Sequence, residues 1–151
     1  MNVFHVGDYI LDKKKIGRGS FSKIYKGWHK ETDQVVAVKR IEVDDIKKVS
    51  KNIKREIKVM KQLKHPNIVE LYDVIYDYKE GFIYLVMEYC AKGDFNAFLG
   101  KRPLKEKYAK RYFRQLRDGL QYLLKNNVMH RDLKPHNILL TELNEVKLSD
   151  F

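Results

Sequence analysis

The 151-residue sequence predicts an α+β fold, with strands dominating its first half and helices its second. Short apolar runs rich in β-branched and aromatic residues recur between Tyr9 and Met87, separated by turn residues. A helical period interrupts them at Asp44–Leu63, and a longer one covers Lys105–Lys125. We therefore predict a first lobe of five strands and one helix, followed by a mainly helical segment.

The five strands are predicted where apolar runs lie between turn residues, at Tyr9–Gly17, Ser22–Trp28, Val35–Ile41, Ile68–Tyr76 and Phe82–Met87. The helix between them has one apolar face, formed by Ile46, Val49, Ile53, Ile57, Met60 and Leu63. His65-Pro66-Asn67 ends that helix, because a proline and its neighbours favour a turn.

In the second half, Asp94 is placed to cap a short helix through Leu99. The long helix that follows has an apolar face made of Ala109, Tyr112, Phe113, Leu116, Leu120, Leu123 and Leu124. Short strands are predicted after it, around Val128–Met129, Ile138–Leu140 and Val146–Leu148.

The formal net charge is +11, from 31 Lys and Arg against 20 Asp and Glu. Such an excess fits nucleic-acid or acidic-membrane binding, or else the solvated faces of helices. The basic residues follow the two long helix patterns and are not interleaved with aromatic residues. This distribution favours solvated faces, and we expect no nucleic-acid partner.

The only cysteine, Cys90, excludes an internal disulfide and fits a reducing compartment. The N-terminus lacks the charged start and apolar core of a secretory signal. No apolar run approaches the roughly 20 residues that span a bilayer. We expect a cytoplasmic protein with no membrane span.

The segment His130–Asn137 contains three groups suited to phosphate chemistry. Asp132 offers a carboxylate that can accept a hydroxyl proton, and Lys134 offers a positive charge for a phosphate. Asn137 offers an amide oxygen for a hard cation such as Mg²⁺, and Asp150 supplies a second oxygen ligand further on. Charged groups at this density are typical of a functional loop on a rigid scaffold.

This segment resembles the H-R-D-L-x-x-x-N catalytic loop of eukaryotic protein kinases, and Asp150-Phe151 resembles the start of their D-F-G element. Lys134-Pro135 is similar to the serine/threonine branch. The resemblance implies a bilobal kinase fold with an antiparallel N-terminal sheet. It assigns residues 1–87 to the N-lobe, 88–93 to a hinge and 94–151 to the first part of a helical C-lobe.

Residues 17–24 form a glycine-rich candidate for phosphate binding, because glycines let the backbone approach phosphates closely. A lone G-x-G is often only a hairpin turn. Strands on both sides argue against a dinucleotide fingerprint, which joins a strand to a helix. The segment resembles the kinase glycine-rich loop, in which Gly17, Gly19 and Ser22 would lie near phosphates. Ile16 and Ile24 would then cover the adenine ring of ATP.

Lys39 ends a strand-like run, Val36–Lys39, in which alternation places it on the same face as Ala37. Taken alone, it fits a solvent-facing lysine on an edge strand. By resemblance, it is the kinase lysine that binds the α- and β-phosphates, with Ala37 beside the adenine. Glu56, at the edge of the first helix's apolar face, is the expected ion-pair partner of Lys39 in an active-like state. A surface glutamate remains the alternative.

Residues 84–90 are similar to the kinase hinge, whose backbone reads the adenine edge. Met87 would be the gatekeeper, and Glu88 and Cys90 would supply main-chain contacts. Asp94 suits a ribose hydroxyl, although helix capping alone also explains it. Leu139 would form the floor of the adenine pocket.

The resemblance implies a serine/threonine protein kinase that uses ATP and Mg²⁺ on a protein substrate, with regulatory protein partners. It covers essentially the whole chain but stops at Phe151, whereas family members continue. We therefore expect an incomplete catalytic domain with little activity alone. A nucleotide-binding but inactive module is the alternative, and a basic nucleic-acid binder is a third. Two short motifs, at residues 17–22 and 86–90, are similar to the autophagy-initiating kinases.

Overall fold

The computed structural model describes residues 2–18, 22–100 and 103–149. These residues form two compact units. The first comprises the described residues up to Gln62 together with Glu70–Tyr89, and the second comprises Leu63–Val69 and the described residues from Cys90 onward.

The first unit is built on a six-stranded antiparallel sheet in the order β1-β2-β3-β4-β6-β5. Its strands are β1 Val3–Val6, β2 Tyr9–Arg18, β3 Ser22–His29, β4 Val35–Glu42, β5 Leu71–Asp77 and β6 Phe82–Glu88. The predicted antiparallel N-terminal sheet with one helix is confirmed, but it has six strands, not five. The missed strand, β1, pairs with β2 across a two-residue turn, where Gly7 has a φ of +53° that favours glycine.

The two faces of this sheet bury separate apolar clusters. On one face, fully buried Val36, Val38 and Val86 pack with residues of β1 and β2. On the other face, Leu85 and Ile83 pack against Ile57 of helix α1, Lys51–Gln62. The helix therefore covers one face of the sheet.

Helix α1 is shorter than the predicted Asp44–Leu63 helix. A 3₁₀ turn at Ile46–Lys48 precedes it, and Val49 leaves helical geometry with ψ at 127°. The Ser50 hydroxyl then accepts a hydrogen bond from the Ile53 N–H at 3.2 Å. The apolar period runs through this break, so periodicity alone does not reveal it.

The second unit contains α2 Phe95–Leu99, α3 Glu106–Lys125, a 3₁₀ turn at Pro135–Asn137, and a hairpin of β7 Ile138–Leu140 and β8 Val146–Leu148. No strand forms around Val128–Met129. Instead the Val128 N–H donates to the Leu123 carbonyl at 2.9 Å and closes the end of α3.

Residues 63–69, which the sequence analysis assigned to the first lobe, group with the second unit because β8 binds them. The Val69 N–H donates to the Leu148 carbonyl at 2.9 Å, and the Leu148 N–H donates to the Asn67 backbone carbonyl at 2.9 Å. The Asn67 side chain donates to the Val146 carbonyl, also at 2.9 Å. The strand predicted to begin at Ile68 therefore begins at Leu71, as β5.

Helix α3 buries a narrower face than predicted. Tyr112, Gly119 and Leu123 are buried, whereas Phe113 and Leu124 are 68% and 66% exposed. Each exposed residue follows a buried one and is therefore turned about 100° around the helix. Within the described residues, no helix has the length and apolar character needed to cross a bilayer.

Candidate active site

The loop before β7 brings three of the predicted site residues together. The Asn137 side-chain amide donates to the Asp132 carbonyl oxygen at 2.9 Å and to Asp132 Oδ2 at 3.2 Å. Lys134 Nζ lies 3.3 Å from the same Oδ2. The 3₁₀ turn that ends at Asn137 provides the reversal needed for these contacts. A carboxylate, an ammonium and an amide thus meet within six residues of chain.

The three side chains differ in their exposure to solvent. Asn137 is buried, whereas the side chains of Asp132 and Lys134 are 60% and 51% exposed. The Asp132–Lys134 ion pair is therefore screened by water and contributes little to stability. Both exposed groups are accessible to a solute.

His130 fixes the start of the loop. The ring is buried; its Nε2 lies 2.7 Å from the Ser149 carbonyl oxygen, and its Nδ1 accepts from the Asp132 N–H at 3.3 Å. Since Nδ1 accepts a hydrogen bond, Nε2 is the ring nitrogen that can donate to the Ser149 carbonyl. Arg131, between them in sequence, has a φ of +65°, which costs a non-glycine residue energy and is common at functional sites.

Ser149 is a site residue that the sequence analysis missed. Its N–H and its hydroxyl both donate to the Asn137 carbonyl, at 3.0 and 3.2 Å. Residue 149 is therefore held against the loop through both His130 and Asn137. The only sequence signal is its position directly before the Asp150-Phe151 pair.

Asn137 fits the predicted metal-ligand role. Its amide nitrogen is used within the loop, and no described hydrogen bond uses its Oδ1. An amide oxygen is a suitable ligand for Mg²⁺. The second predicted ligand, Asp150, lies outside the described residues. Among those that are described, no three His, Cys, Asp or Glu side chains cluster in a way that could hold a metal.

The structure also brings Asp94 and Leu139 together. They face each other in an antiparallel bridge, flanked by a 2.9 Å bond from the Leu140 N–H to the Gly93 carbonyl. Asp94 Oδ1 accepts from the Ala97 N–H at 2.8 Å, so the predicted helix cap is confirmed. Cys90 is buried, and its carbonyl accepts from the Gly93 N–H at 3.1 Å.

In the first unit, β4 confirms the predicted alternation. Val36 and Val38 are fully buried on one face, and Ala37 and Lys39 lie half-buried on the other. Lys39 stands opposite Ile24 of β3 and Leu85 of β6. Directly opposed residues in an antiparallel sheet share a face.

The same face continues into neighbouring strands. Met87 stands opposite Ala37, and Gly17 stands opposite Ile24. A Cβ built on Gly17 would lie 3.3 Å from Ile24 Cδ1, so glycine permits this close approach. Five predicted residues therefore share one sheet face: Gly17, Ile24, Ala37, Lys39 and Met87.

Three further predicted residues lie around this face. Ile16 is 51% exposed, and Ser22 is half-buried at the first position of β3. The Glu88 N–H already donates to the Glu70 carbonyl at 2.9 Å. Gly19 lies outside the described residues.

The expected ion pair between Lys39 and Glu56 is not formed in this structure. Glu56 is exposed, and none of the ion pairs found among the described residues includes it. It precedes buried Ile57, so its side chain is turned about 100° away from the buried direction of α1.

Comparison with known proteins gives one family. The profile of the family described as "Protein kinase domain" matches residues 10–151. Serine/threonine-protein kinase atg1 of Dictyostelium discoideum is 41% identical, and the match covers 97% of this chain and 23% of that protein. Hormonally up-regulated neu tumor-associated kinase of Homo sapiens is 41% identical, with 97% and 21% covered.

A plant protein is similar over a comparable region. CBL-interacting serine/threonine-protein kinase 2 of Arabidopsis thaliana is 43% identical, and the match covers 90% of this chain and 30% of that protein. The chain thus spans less than a third of the length of each of these relatives. The matches confirm the resemblance to serine/threonine kinases, including the autophagy-initiating subfamily.

Proposed function

The chain belongs to the protein kinase domain family, and from this premise we propose that it transfers the γ-phosphoryl group of ATP to a serine or threonine hydroxyl of a protein. The observation that carries the proposal is the contact of Asp132 with both Lys134 and Asn137 in one loop. The serine/threonine kinase relatives support the acceptor class.

In the proposed reaction, the substrate hydroxyl oxygen attacks the γ-phosphorus, and the bond from that phosphorus to the β,γ-bridging oxygen breaks. Asp132 orients the hydroxyl and accepts its proton, and ADP leaves. Lys134 stabilises the negative charge that spreads over the γ-phosphoryl oxygens, which is where such catalysis acts.

Other residues bind and position ATP in this proposal. Lys39 holds the α- and β-phosphates, and Gly17 leaves room for a phosphate close to the backbone. Glu56 orients Lys39 in an active-like state that differs from the present one. The adenine contacts Ile16, Ile24, Ala37, Met87, Leu139 and the backbones of Glu88 and Cys90, with Asp94 near the ribose and Gly19 and Ser22 near the phosphates.

Asn137 and Asp150 would hold Mg²⁺, which when bound neutralises charge on the phosphates. We also propose residues 1–87 as N-lobe, 88–93 as hinge and 94–151 as the first part of the C-lobe. A protein substrate, regulatory protein partners and a cytoplasmic location complete the proposal.

The test is phosphate transfer from γ-labelled ATP to a mixture of serine- and threonine-containing peptides. We expect Asp132→Asn to lower the rate by about 10²–10³. The control Glu142→Gln changes an exposed carboxylate in the β7–β8 turn and should leave the rate unchanged. Equal rates for both variants would contradict the assignment of Asp132.

A further inference from the structure

The positive charge of the first unit is concentrated in one segment. Residues 46–62 carry seven Lys and Arg against one Glu. The rest of that unit carries ten Lys and Arg against twelve Asp and Glu. The segment around α1 is therefore strongly basic, whereas the remainder of the unit is slightly acidic.

Within this segment, five basic side chains share one face of α1. At 100° per residue they fall within about 120° of the helix circumference, and they extend over about 15 Å of its axis. All five are exposed, and the residues packed against the sheet, Ile53, Ile57 and Met60, lie on the other side. We call these five residues the basic stripe: Lys51, Lys54, Arg55, Lys58 and Lys61.

No acidic group in the described part of the chain neutralises the basic stripe. The ion pairs that the structure shows there involve none of the five residues. The only acidic residue of the helix, Glu56, is also outside those pairs. The stripe therefore presents uncompensated charge to solvent.

We propose that the basic stripe docks the chain on a membrane surface rich in anionic phospholipid. Clusters of four to eight Lys and Arg bind such surfaces, with each residue strengthening binding about fivefold. Four of the five residues are lysines, whose flexible stems and compact charges can meet a flat surface without a fixed geometry. The exposed face of α1 presents all five charges on one side of the helix, as contact with a surface requires.

The composition of the stripe does not suit two other partners. Protein interfaces have an apolar centre and are depleted of lysine, and the stripe has no apolar residue. Single-stranded nucleic acids bind where basic residues are combined with aromatic rings for base stacking. The stripe contains no aromatic residue.

The test compares binding of the chain to vesicles of phosphatidylcholine alone and of phosphatidylcholine with 30% phosphatidylserine, at about 0.1 M salt. The stripe variant is Lys51→Gln, Lys54→Gln and Lys58→Gln. The matched control, Lys107→Gln, Arg111→Gln and Arg114→Gln, removes three exposed charges from α3. Lys110 is left intact because it pairs with Glu106 at 3.1 Å.

We expect wild type to bind only the anionic vesicles, the stripe variant to bind at least tenfold more weakly, and the control to stay within about twofold of wild type. A variant with the same three lysines changed to arginine should bind as wild type does, which separates loss of charge from loss of folding. Equal loss in both Gln variants, or no binding by wild type, would overturn the proposal. So would stripe-dependent binding to single-stranded RNA without binding to vesicles.

Discussion

Asn137 holds Asp132 from two sides, with its amide nitrogen 2.9 Å from the Asp132 carbonyl oxygen and 3.2 Å from its Oδ2. The donor is buried, whereas the carboxylate that it orients is largely exposed. A buried amide thus positions an exposed carboxylate. Such positioning would lower the cost of the catalytic role that we propose for Asp132.

Replacing Asn137 with alanine should destabilise the chain by about 1–3 kcal/mol, because the loop loses both hydrogen bonds that this buried side chain donates. The measurement is the free energy of unfolding in urea. Asn126→Ala is the matched control, since its amide also donates to a carbonyl, that of Tyr122 at 2.8 Å, but in an exposed site. We expect the control to cost about 1 kcal/mol or less. If both variants lost the same free energy of unfolding, the hydrogen bonds of buried Asn137 would contribute no more to stability than the bond of exposed Asn126.

Gly119 of α3 should resist substitution by alanine, although alanine is the better helix former. A Cβ at this position would lie 3.0 Å from the Asn67 carbonyl oxygen and 3.0 Å from Leu148 Cδ1. We expect Gly119→Ala to lower the free energy of unfolding by about 1–3 kcal/mol.

The control for this prediction is Gly100→Ala. A Cβ there would meet its nearest neighbours, the Asn96 and Ala97 carbonyl oxygens, at ordinary distances of 3.6 and 3.7 Å. Gly100 also has a φ of −68°, which any residue can adopt. Urea unfolding should place this variant within about 1 kcal/mol of wild type. If Gly119→Ala also stays within about 1 kcal/mol of wild type, α3 does not pack against Asn67 as closely as described here.

Stability should fall as the pH drops below 6.5, in part through His65. Burial lowers the pKa of His65 below its usual 6.5; nearby Lys147 lowers it further, and Asp118 opposes both. Between the lowered folded pKa and 6.5, the unfolded chain binds a proton at His65 more readily than the folded chain does. Above pH 6.5, protonation of His65 therefore does not oppose folding. As the pH falls from 6.5 towards the lower folded pKa, His65 lowers the free energy of unfolding.

The check is the urea midpoint at pH 7.5, 6.5 and 5.5 for wild type and His65→Asn. Asparagine can keep the hydrogen bond that His65 Nδ1 accepts from the Asn67 N–H at 3.0 Å. We expect a smaller decline with acid in this variant than in wild type. His5→Asn, at an exposed position of β1, should decline as wild type does. If the urea midpoint of His65→Asn fell with acid as much as that of wild type, groups other than His65 would cause the acid sensitivity.

Local patterns in the sequence were sufficient to predict most strands and to find the group of polar side chains in the loop before β7. Alternation in β4 placed Lys39 on the same face as Ala37, and the octet from His130 to Asn137 contains the carboxylate, the ammonium and the amide that contact one another in the structure. Both signals lie within eight consecutive residues, where backbone geometry dictates which side chains share a face or a turn.

The misses depend on contacts between distant residues. Nothing local in residues 63–69 reveals their hydrogen bonds to β8, some 80 positions later. The apolar pattern of α3 predicts which side of the helix is buried. How wide that buried side is depends on the residues packed against it, and in the structure Tyr112 is buried whereas Phe113 is exposed. The position of Glu56 likewise follows from how α1 packs, which its amphipathic period does not fix.

The measurement that tests the central claim most directly is a titration of the chain with a fluorescent ATP analogue, with and without Mg²⁺. We predict saturable binding at one site that requires Mg²⁺. Lys39→Met should weaken it about tenfold or more, because a charged phosphate contact is lost. Lys13→Met, at an exposed position of β2, should leave it unchanged. Absence of saturable binding, or equal affinity of the two variants, would contradict the assignment of this chain as an ATP-binding kinase domain.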